Sequence, residues 1–109
     1  MKIKFKDKKL RELCKLTAAA VKKLVNTSAK KLQTRLANIP SSKCVPELIT
    51  GHPHPLKGDR LGQFSLDLAG GWRLVFASAN DPVPLGEDAS VNWSAVTIVC
   101  IDYIGDDLD

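Results

Sequence analysis

The sequence contains neither a long hydrophobic run nor a cysteine motif, and both absences limit what the chain can be. No apolar stretch approaches the roughly 20 residues that a membrane-spanning helix needs. The basic first ten residues are followed by the charged segment RELCKL and not by an apolar secretory core, so we expect a cytoplasmic protein without a membrane partner. Cys14, Cys44 and Cys100 are far apart and form no CxxC motif, which favours reduced thiols over disulfides or a zinc site.

Metal-binding and repeat signals are also missing. His52 and His54 are two residues apart, but no Cys, Asp or Glu lies nearby at ligand spacing, so we expect neither a metal nor another cofactor. There is no internal repeat and no low-complexity tract. With 109 residues, 44% of them hydrophobic, the chain can bury one modest core, which predicts a single domain over residues 1–109.

Positive charge is concentrated in the first part of the chain. The net charge is only +4, yet residues 1–60 hold fifteen Lys or Arg against four Asp or Glu, and residues 61–109 hold one against eight. A basic half of this kind predicts attraction to a polyanion or to an acidic protein, although a solvated helix face explains many such runs equally well. Charge alone therefore suggests nucleic acid without establishing it.

The first 40 residues read as a strand followed by helices. Residues 2–6 alternate lysines with apolar side chains, which predicts a short strand whose lysines protect a sheet edge. Asp7 can cap one helix and Thr17 a second, with a weak point at residues 26–28 and an end at Pro40. The apolar stripe of the long helix has helical spacing: Val21, Leu24, Val25, Ser28, Ala29, Leu32, Leu36 and Ile39.

A β-hairpin is the clearest local prediction. Residues 64–68 and 72–76 alternate apolar and polar side chains on either side of Ala69-Gly70-Gly71. A two-residue loop would mix the two faces, whereas a three-residue loop pairs Leu68 with Trp72 and keeps the apolar set together. This register places Arg73 opposite Asp67, away from the core, as either a cross-strand ion pair or a phosphate ligand.

The remaining segments complete an α+β pattern. Residues 40–57 are rich in Pro and Gly and predict an irregular connector with one helical turn near residues 45–48. Residues 80–92 predict a long acidic loop, and residues 93–104 a strand buried on both faces. The order β-α-α-β-β-β predicts a small, mostly antiparallel sheet with helices packed on one face and the other face open.

The segments HPLKGDRLGQFSLDLAGGWRLVF, NDPVP and VNWSAVTIV resemble a known family, and the likeness extends over nearly the whole chain. They look like the RelE/ParE superfamily of bacterial toxins from type II toxin–antitoxin systems, in particular the HigB-like branch of plasmid maintenance killer proteins. The resemblance implies a RelE-like fold and a ribosome-dependent endoribonuclease, an mRNA interferase that cleaves messenger RNA in the ribosomal A site and inhibits translation. It also implies a cognate helix-turn-helix antitoxin, HigA-like, as partner.

The resemblance assigns roles to four residues. Lys57 and Arg73 match basic residues that grip the phosphate, His54 matches a position near the scissile bond, and Asp106 matches an acidic residue near the carboxyl terminus. Chemistry agrees, because the planar fork of an arginine binds two phosphate oxygens and an imidazole titrates near neutrality. The branch typically ends in Asp-Tyr-His, for which residues 106–108 read Asp-Asp-Leu, so the aromatic hydroxyl and the terminal imidazole are expected to be absent.

Each candidate also has a structural interpretation. His54 can be a surface histidine between two prolines, Lys57 a turn lysine, and Arg73 an exposed ion-pair partner worth roughly 0 to 1 kcal/mol. Trp72 and Trp93 lie on apolar strand faces, which favours core residues over base-stacking platforms. The candidates for sequence-independent RNA contact are the basic side chains Lys22, Lys23, Lys30, Lys31, Arg35 and Arg60.

Two other classes of function compete with the endoribonuclease. The chain can be a binding module without catalysis, either a ParE-like inhibitor of DNA gyrase or a degenerate toxin that only binds its antitoxin. It can also be a nucleic-acid-binding domain outside any toxin system. Intact messages during growth arrest favour the binding module, whereas a neighbouring gene for a small helix-turn-helix protein argues against the third class.

Overall fold

The structure, a computed structural model, describes residues 1–15, 26–49 and 51–106. Its helices and strands are β1 (Lys2–Phe5), α1 (Lys8–Lys15), α2 (Asn26–Ser41), β2 (His54–Pro55), β3 (Gln63–Asp67), β4 (Arg73–Ser78) and β5 (Ile98–Gly105). Short 3-10 helices lie at Val45–Glu47, Gly58–Arg60 and Trp93–Ala95. No helix within these ranges is long and apolar enough to cross a bilayer.

The strands form one sheet in the order β1-β5-β4-β3-β2. β1 runs parallel to β5, and the other neighbours pair antiparallel. The lysines of β1 therefore lie at a sheet edge, as predicted. The two-residue strand β2 was not predicted, because the surrounding prolines favour irregular backbone. His54 and Pro55 nevertheless pair with Ser65 and Phe64.

The hairpin has the predicted register. Phe64 pairs with Phe76, Leu66 with Leu74 and Asp67 with Arg73, and the Leu68 amide donates to the Trp72 carbonyl over 2.7 Å. Gly70 and Gly71 have φ angles of 63° and 81°, a left-handed conformation that glycine adopts without steric cost. The loop thus fixes which side chains of β3 and β4 face the core and which face away from it.

Both helices pack on one face of the sheet. The Asp7 carboxylate accepts a hydrogen bond from the Leu10 amide over 2.8 Å, which confirms the predicted cap of α1. The helices, the sheet and the connector share one buried cluster. Its helix members are Leu13, Cys14, Ala29, Leu32 and Ile39, and its sheet and connector members include Val45, Phe64, Leu66, Leu74, Phe76, Val99 and Ile101. The predicted α+β class with helices on one face is confirmed.

The predictions for α2 need one correction, and others fall outside the described ranges. The helix begins at Asn26, the predicted weak point, and the buried Ser28 hydroxyl donates to the Ala69 carbonyl over 2.7 Å, so this polar side chain ties the helix to the hairpin loop. Pro40 lies inside the last turn, one residue before the helix ends. The Thr17 cap and the apolar positions 21, 24 and 25 lie outside the described residues.

The last strand is shorter and less buried than predicted. Trp93–Ala95 is a 3-10 helix, so β5 begins at Ile98. Val99, Ile101 and Ile104 are buried on the helix side, but Cys100 and Tyr103 are only half-buried. The physical reason is that the two described helices cover one face of the sheet and leave the other accessible.

Candidate functional site

The sheet face away from the helices, called here the open face, collects most of the candidate residues. The strand register puts His54, Ser65, Val75 and Tyr103 in one row across four strands. The neighbouring row holds Asp67 and Arg73, and the row on the other side holds Gln63, Ala77 and Cys100. Because residues that pair across a sheet project from the same face, these side chains share one side of the sheet, on which Ser65 and Val75 are fully buried.

A chain of contacts holds Arg60 over the single tyrosine of the protein. The Arg60 guanidinium carbon lies 4.7 Å from the ring centroid of Tyr103, a cation–π distance. Arg60 Nη1 donates to Gln63 Oε1 over 3.2 Å, and Gln63 Nε2 donates to Asp102 Oδ2 over 3.0 Å. Gln63 therefore tethers Arg60 to the residue that precedes Tyr103, which fixes the guanidinium on the open face.

The Tyr103 hydroxyl lies toward the Arg73 row. A Cβ at Gly105 would clash with the Tyr103 hydroxyl and ring, so the phenol occupies the space that glycine leaves open. Gly105 is the β5 partner of Arg73. The absence of a side chain at Gly105 thus allows the hydroxyl to lie next to the position opposite Arg73.

His54 has a defined tautomer, and the backbone that precedes it has an uncommon conformation. Its Nδ1 lies 2.7 Å from the His52 carbonyl oxygen, and since a carbonyl only accepts, Nδ1 carries the hydrogen. The neutral ring then has its lone pair on Nε2, where it can accept a proton. His52 has a φ of 48°, a left-handed conformation that is uncommon outside glycine, and it follows Gly51 with a φ of 83°.

Arg73 forms the cross-strand ion pair considered from the sequence. Its Nε lies 3.7 Å from Asp67 Oδ1, and the two side chains are 33% and 39% exposed. This distance is too long for a hydrogen bond, and an exposed pair of this kind contributes little to stability. Asp106 is exposed and follows Gly105 directly, so it lies at the same end of the sheet as Arg73.

Lys57 and Arg73 lie near opposite ends of β3, since Leu56 pairs with Gln63 and Arg73 with Asp67. Gln63 and Asp67 are four residues apart on β3, a separation of roughly 13 Å. Lys57 lies beyond the Gln63 end and lines a cleft of about 440 Å³ with Trp93. Trp93 packs against Phe64 and Phe76 of the helix-covered face. Gln63 of the open face also lines this cleft, so the expected convergence of Lys57 and Arg73 on one patch stays a prediction.

The candidate RNA-contacting residues divide into three groups. Lys30 and Lys31 are exposed on α2, as expected, and Arg60 lies on the open face. Lys22 and Lys23 lie outside the described residues. Arg35 is only 9% exposed, so it is not available for the RNA contact expected of it.

Arg35 is buried because it lies on the core stripe of α2. It is three residues from Leu32 and four from Ile39, the spacing of one helix face. Its Nε donates to the Asp67 carbonyl over 3.3 Å, and a Cβ at Gly51 would meet that same Nε at 2.5 Å. Arg35 therefore supports the end of β3 and the turn before His54, and its guanidinium is not presented to solvent.

Asp102 and Tyr103 were missed as candidates, although a signal was present. The Asp-Tyr-His ending of the resembling branch was matched to residues 106–108, whereas Asp102-Tyr103-Ile104 fits two of its three positions. The structure places this pair inside β5, with Tyr103 on the open face and Ile104 buried in the core. An aromatic hydroxyl is thus present, and the histidine position carries isoleucine. Across the described ranges, no three His, Cys, Asp or Glu side chains are grouped so that they could hold a metal ion.

Comparisons with known proteins support the fold. No protein-family model matches the sequence, and no curated protein matches it. A solved structure described as a YoeB/ParE toxin from Agrobacterium tumefaciens is similar to this chain with a TM-score of 0.60 and 16% sequence identity. The similarity covers 99% of this chain and 100% of that one. At this identity it shows a shared architecture, and the predicted RelE-like fold is thereby confirmed.

Proposed function

We propose that this chain is the toxin of a type II toxin–antitoxin system and that it cleaves messenger RNA on the ribosome. Two observations support the proposal: the fold is shared with a protein described as a YoeB/ParE toxin, and the open face presents groups suited to RNA cleavage. The one that carries it is the placement of an imidazole, a phenol and two guanidinium groups on that face, from His54, Tyr103, Arg60 and Arg73.

RNA cleavage without a metal needs a base, an acid and a cation at the phosphate. In the proposed reaction the 2′-hydroxyl attacks the adjacent phosphorus, giving its proton to His54 Nε2, while the bond to the 5′-oxygen breaks. The Tyr103 hydroxyl donates a proton to the departing 5′-oxygen. Arg73 binds the phosphate oxygens, where its planar fork stabilises the charge that develops in the transition state.

The other candidates take supporting roles in this proposal. Arg60 holds the Tyr103 ring in place and adds positive charge near the phosphate. Lys57 contacts the RNA away from the scissile bond, and Asp106 adjusts the charge beside Arg73. The helix lysines, Lys22, Lys23, Lys30 and Lys31, contact ribosomal RNA through phosphate attraction. The buried Arg35 takes no part in RNA binding.

A cognate antitoxin is the second partner in the proposal. We expect a HigA-like helix-turn-helix protein that neutralises the toxin in the cytoplasm. The alternative, a toxin that acts by binding without catalysis, is favoured by one observation: Ile104 stands where the resembling branch has histidine. The loss of one acid or base typically lowers a rate by about 10²- to 10⁴-fold, so the two functions differ in a measurable way.

One experiment separates these functions. The chain is induced in bacteria with and without its genomic neighbour, growth is followed, and the 5′ ends of translated messages are mapped. We expect growth arrest and new 5′ ends within translated regions, both absent with Arg73→Ala. Growth arrest with intact messages would contradict cleavage, and accumulating DNA damage would then select gyrase inhibition.

A further inference from the structure

A row of lysines forms the edge of the open face furthest from His54. Lys2 and Lys4 pair with Ile98 and Cys100 across the parallel β1–β5 contact. The alternate residues Ile3 and Phe5 line a pocket with helix residues, so the lysines project from the opposite, open face. Lys2, Lys4 and the following Lys6 are all exposed. This row is called here the β1 lysine row.

A shallow path connects the β1 lysine row to Arg60. Lys4, Cys100, Ala77 and Gln63 lie side by side on four adjacent strands. Cys100 and Ala77 are small and half-buried, so they make a low floor between Lys4 and Gln63. Gln63 is the residue that binds Arg60, and the path therefore leads to the Arg60–Tyr103 contact.

The Cys100 thiol lies close enough to the β1 lysine row for the positive charges to affect its pKa. Burial and the neighbouring Asp102 carboxylate raise the pKa of Cys100, while Lys4 and Lys6 oppose that rise. The positive charge of both lysines therefore extends to Cys100, inside the path, and is not confined to the sheet edge. This agrees with the strand register.

The charge of the open face suits a polyanion. Among the described residues, its cations are Lys2, Lys4, Lys6, Arg60 and Arg73, against the carboxylates of Asp67, Asp102 and the exposed Asp106. Lys2 and Lys4 are two residues apart on β1, a separation of roughly 6.8 Å, and Lys6 follows directly after the strand. A positive groove that ends at an aromatic ring is the usual arrangement for binding single-stranded nucleic acid.

We propose that Lys2, Lys4 and Lys6 form a phosphate track for single-stranded RNA, along which the strand crosses the open face between β1 and the Arg60–Tyr103 contact. The inference rests on the proposed function, since it concerns the substrate of the same face. It assigns RNA binding to a strand edge, in addition to the helix lysines. The competing explanation is that the lysines only protect the edge strand from pairing with other chains.

The salt dependence of RNA binding tests the track. The full chain is titrated with a short, unstructured RNA oligonucleotide, and binding is measured by fluorescence anisotropy at several salt concentrations. Each phosphate contact on a single strand contributes about 0.7 to the slope of log K against log salt. The triple variant Lys2→Gln, Lys4→Gln, Lys6→Gln should therefore lower the slope by about 2. The matched control, with Lys8, Lys9 and Lys15 of α1 changed to Gln, removes the same charge and should leave the slope nearly unchanged.

Single variants keep the test decisive if the triple variant aggregates. Lys4→Gln alone should lower the slope by about 0.7, and Lys9→Gln should not. A slope that is unchanged in the β1 variants, or that falls equally in both sets, would overturn the track. Failure of the proposed function looks different: no message is cleaved in cells, although purified protein still loses its salt-dependent RNA binding when the β1 lysine row is neutralised.

Discussion

The guanidinium of Arg60 lies over the ring of Tyr103, with 4.7 Å between the guanidinium carbon and the ring centroid. Arg60 lies in the 3-10 helix before β3, and Tyr103 lies in β5, so the contact crosses the intervening strand β4. Gln63 connects the two elements, because it accepts a hydrogen bond from Arg60 over 3.2 Å and donates one to Asp102 over 3.0 Å. Since Tyr103 is the only tyrosine, its resonance reports this arrangement without ambiguity.

Removing the tether should release Arg60 from the ring. Gln63→Ala deletes both hydrogen bonds, and we expect the single resonance of 3-fluorotyrosine-labelled protein to shift toward the free amino-acid value. The reason is that an untethered arginine loses its fixed position over the ring, a contact worth about 0.5–1 kcal/mol when exposed. Gln33→Ala on α2 is the matched control, because Gln33 contacts the Cys14 carbonyl instead. Identical spectra for Gln63→Ala and the wild type would contradict the tether.

Adding one methyl group at Gly105 should displace the Tyr103 phenol. The new Cβ would overlap the hydroxyl and ring, so the side chain must rotate away from the Arg73 row. We expect Gly105→Ala to shift the tyrosine resonance and to lower the cleavage rate at saturating substrate more than it changes the Michaelis constant. Gly70→Ala serves as the control, since nothing lies near its Cβ, although its φ of 63° costs stability. Full activity with an unshifted resonance in Gly105→Ala would show that the phenol does not occupy the space next to Gly105.

Substitution by alanine should affect stability differently at the two buried serines, Ser28 and Ser65. The Ser28 hydroxyl donates to the Ala69 carbonyl, whereas the Ser65 hydroxyl has no hydrogen-bond partner among the described residues. We expect Ser28→Ala to lower the free energy of unfolding by about 1–2 kcal/mol and Ser65→Ala to leave it unchanged or raise it. Urea denaturation of both variants measures the difference. Equal losses would contradict the assigned hydrogen bonds.

The hairpin, the edge strand and the Asp7 cap were predictable because each depends on local alternation, turn geometry or capping. The position of Arg35 was not, since a charged residue at core spacing is normally assigned to the outer face. Its Nε donates to the Asp67 carbonyl of a distant strand, and sequence periodicity carries no information about such an acceptor. Lys57 and Arg73 lie near opposite ends of β3, a separation that closeness along the chain did not indicate. Tyr103 needed the β5 register before its neighbours could be known.

The Cys14 thiol should be the least reactive of the three. Burial raises the pKa of Cys14 to about 11, so at pH 8 the thiolate that attacks maleimides is scarce. We expect the half-buried Cys44 to be labelled first, with Cys14 protected until the protein unfolds. Because burial raises the pKa of the folded Cys14 thiol above its ordinary value of 9.0, the stabilisation from the neutral thiol is complete below pH 9 and is lost as the pH rises toward 11. Labelling of Cys14 as fast as Cys44 in native protein would contradict its burial.

The central claim is that the open face cleaves RNA with the Tyr103 hydroxyl as a participating group. Its most direct test is cleavage of a defined message on purified, programmed ribosomes by the wild type and by Tyr103→Phe, which keeps the ring under Arg60 and removes only the hydroxyl. We expect specific cuts by the wild type and a rate lower by about 10²-fold or more for the variant. Equal cleavage by both proteins, or no cleavage by the wild type, would contradict this account.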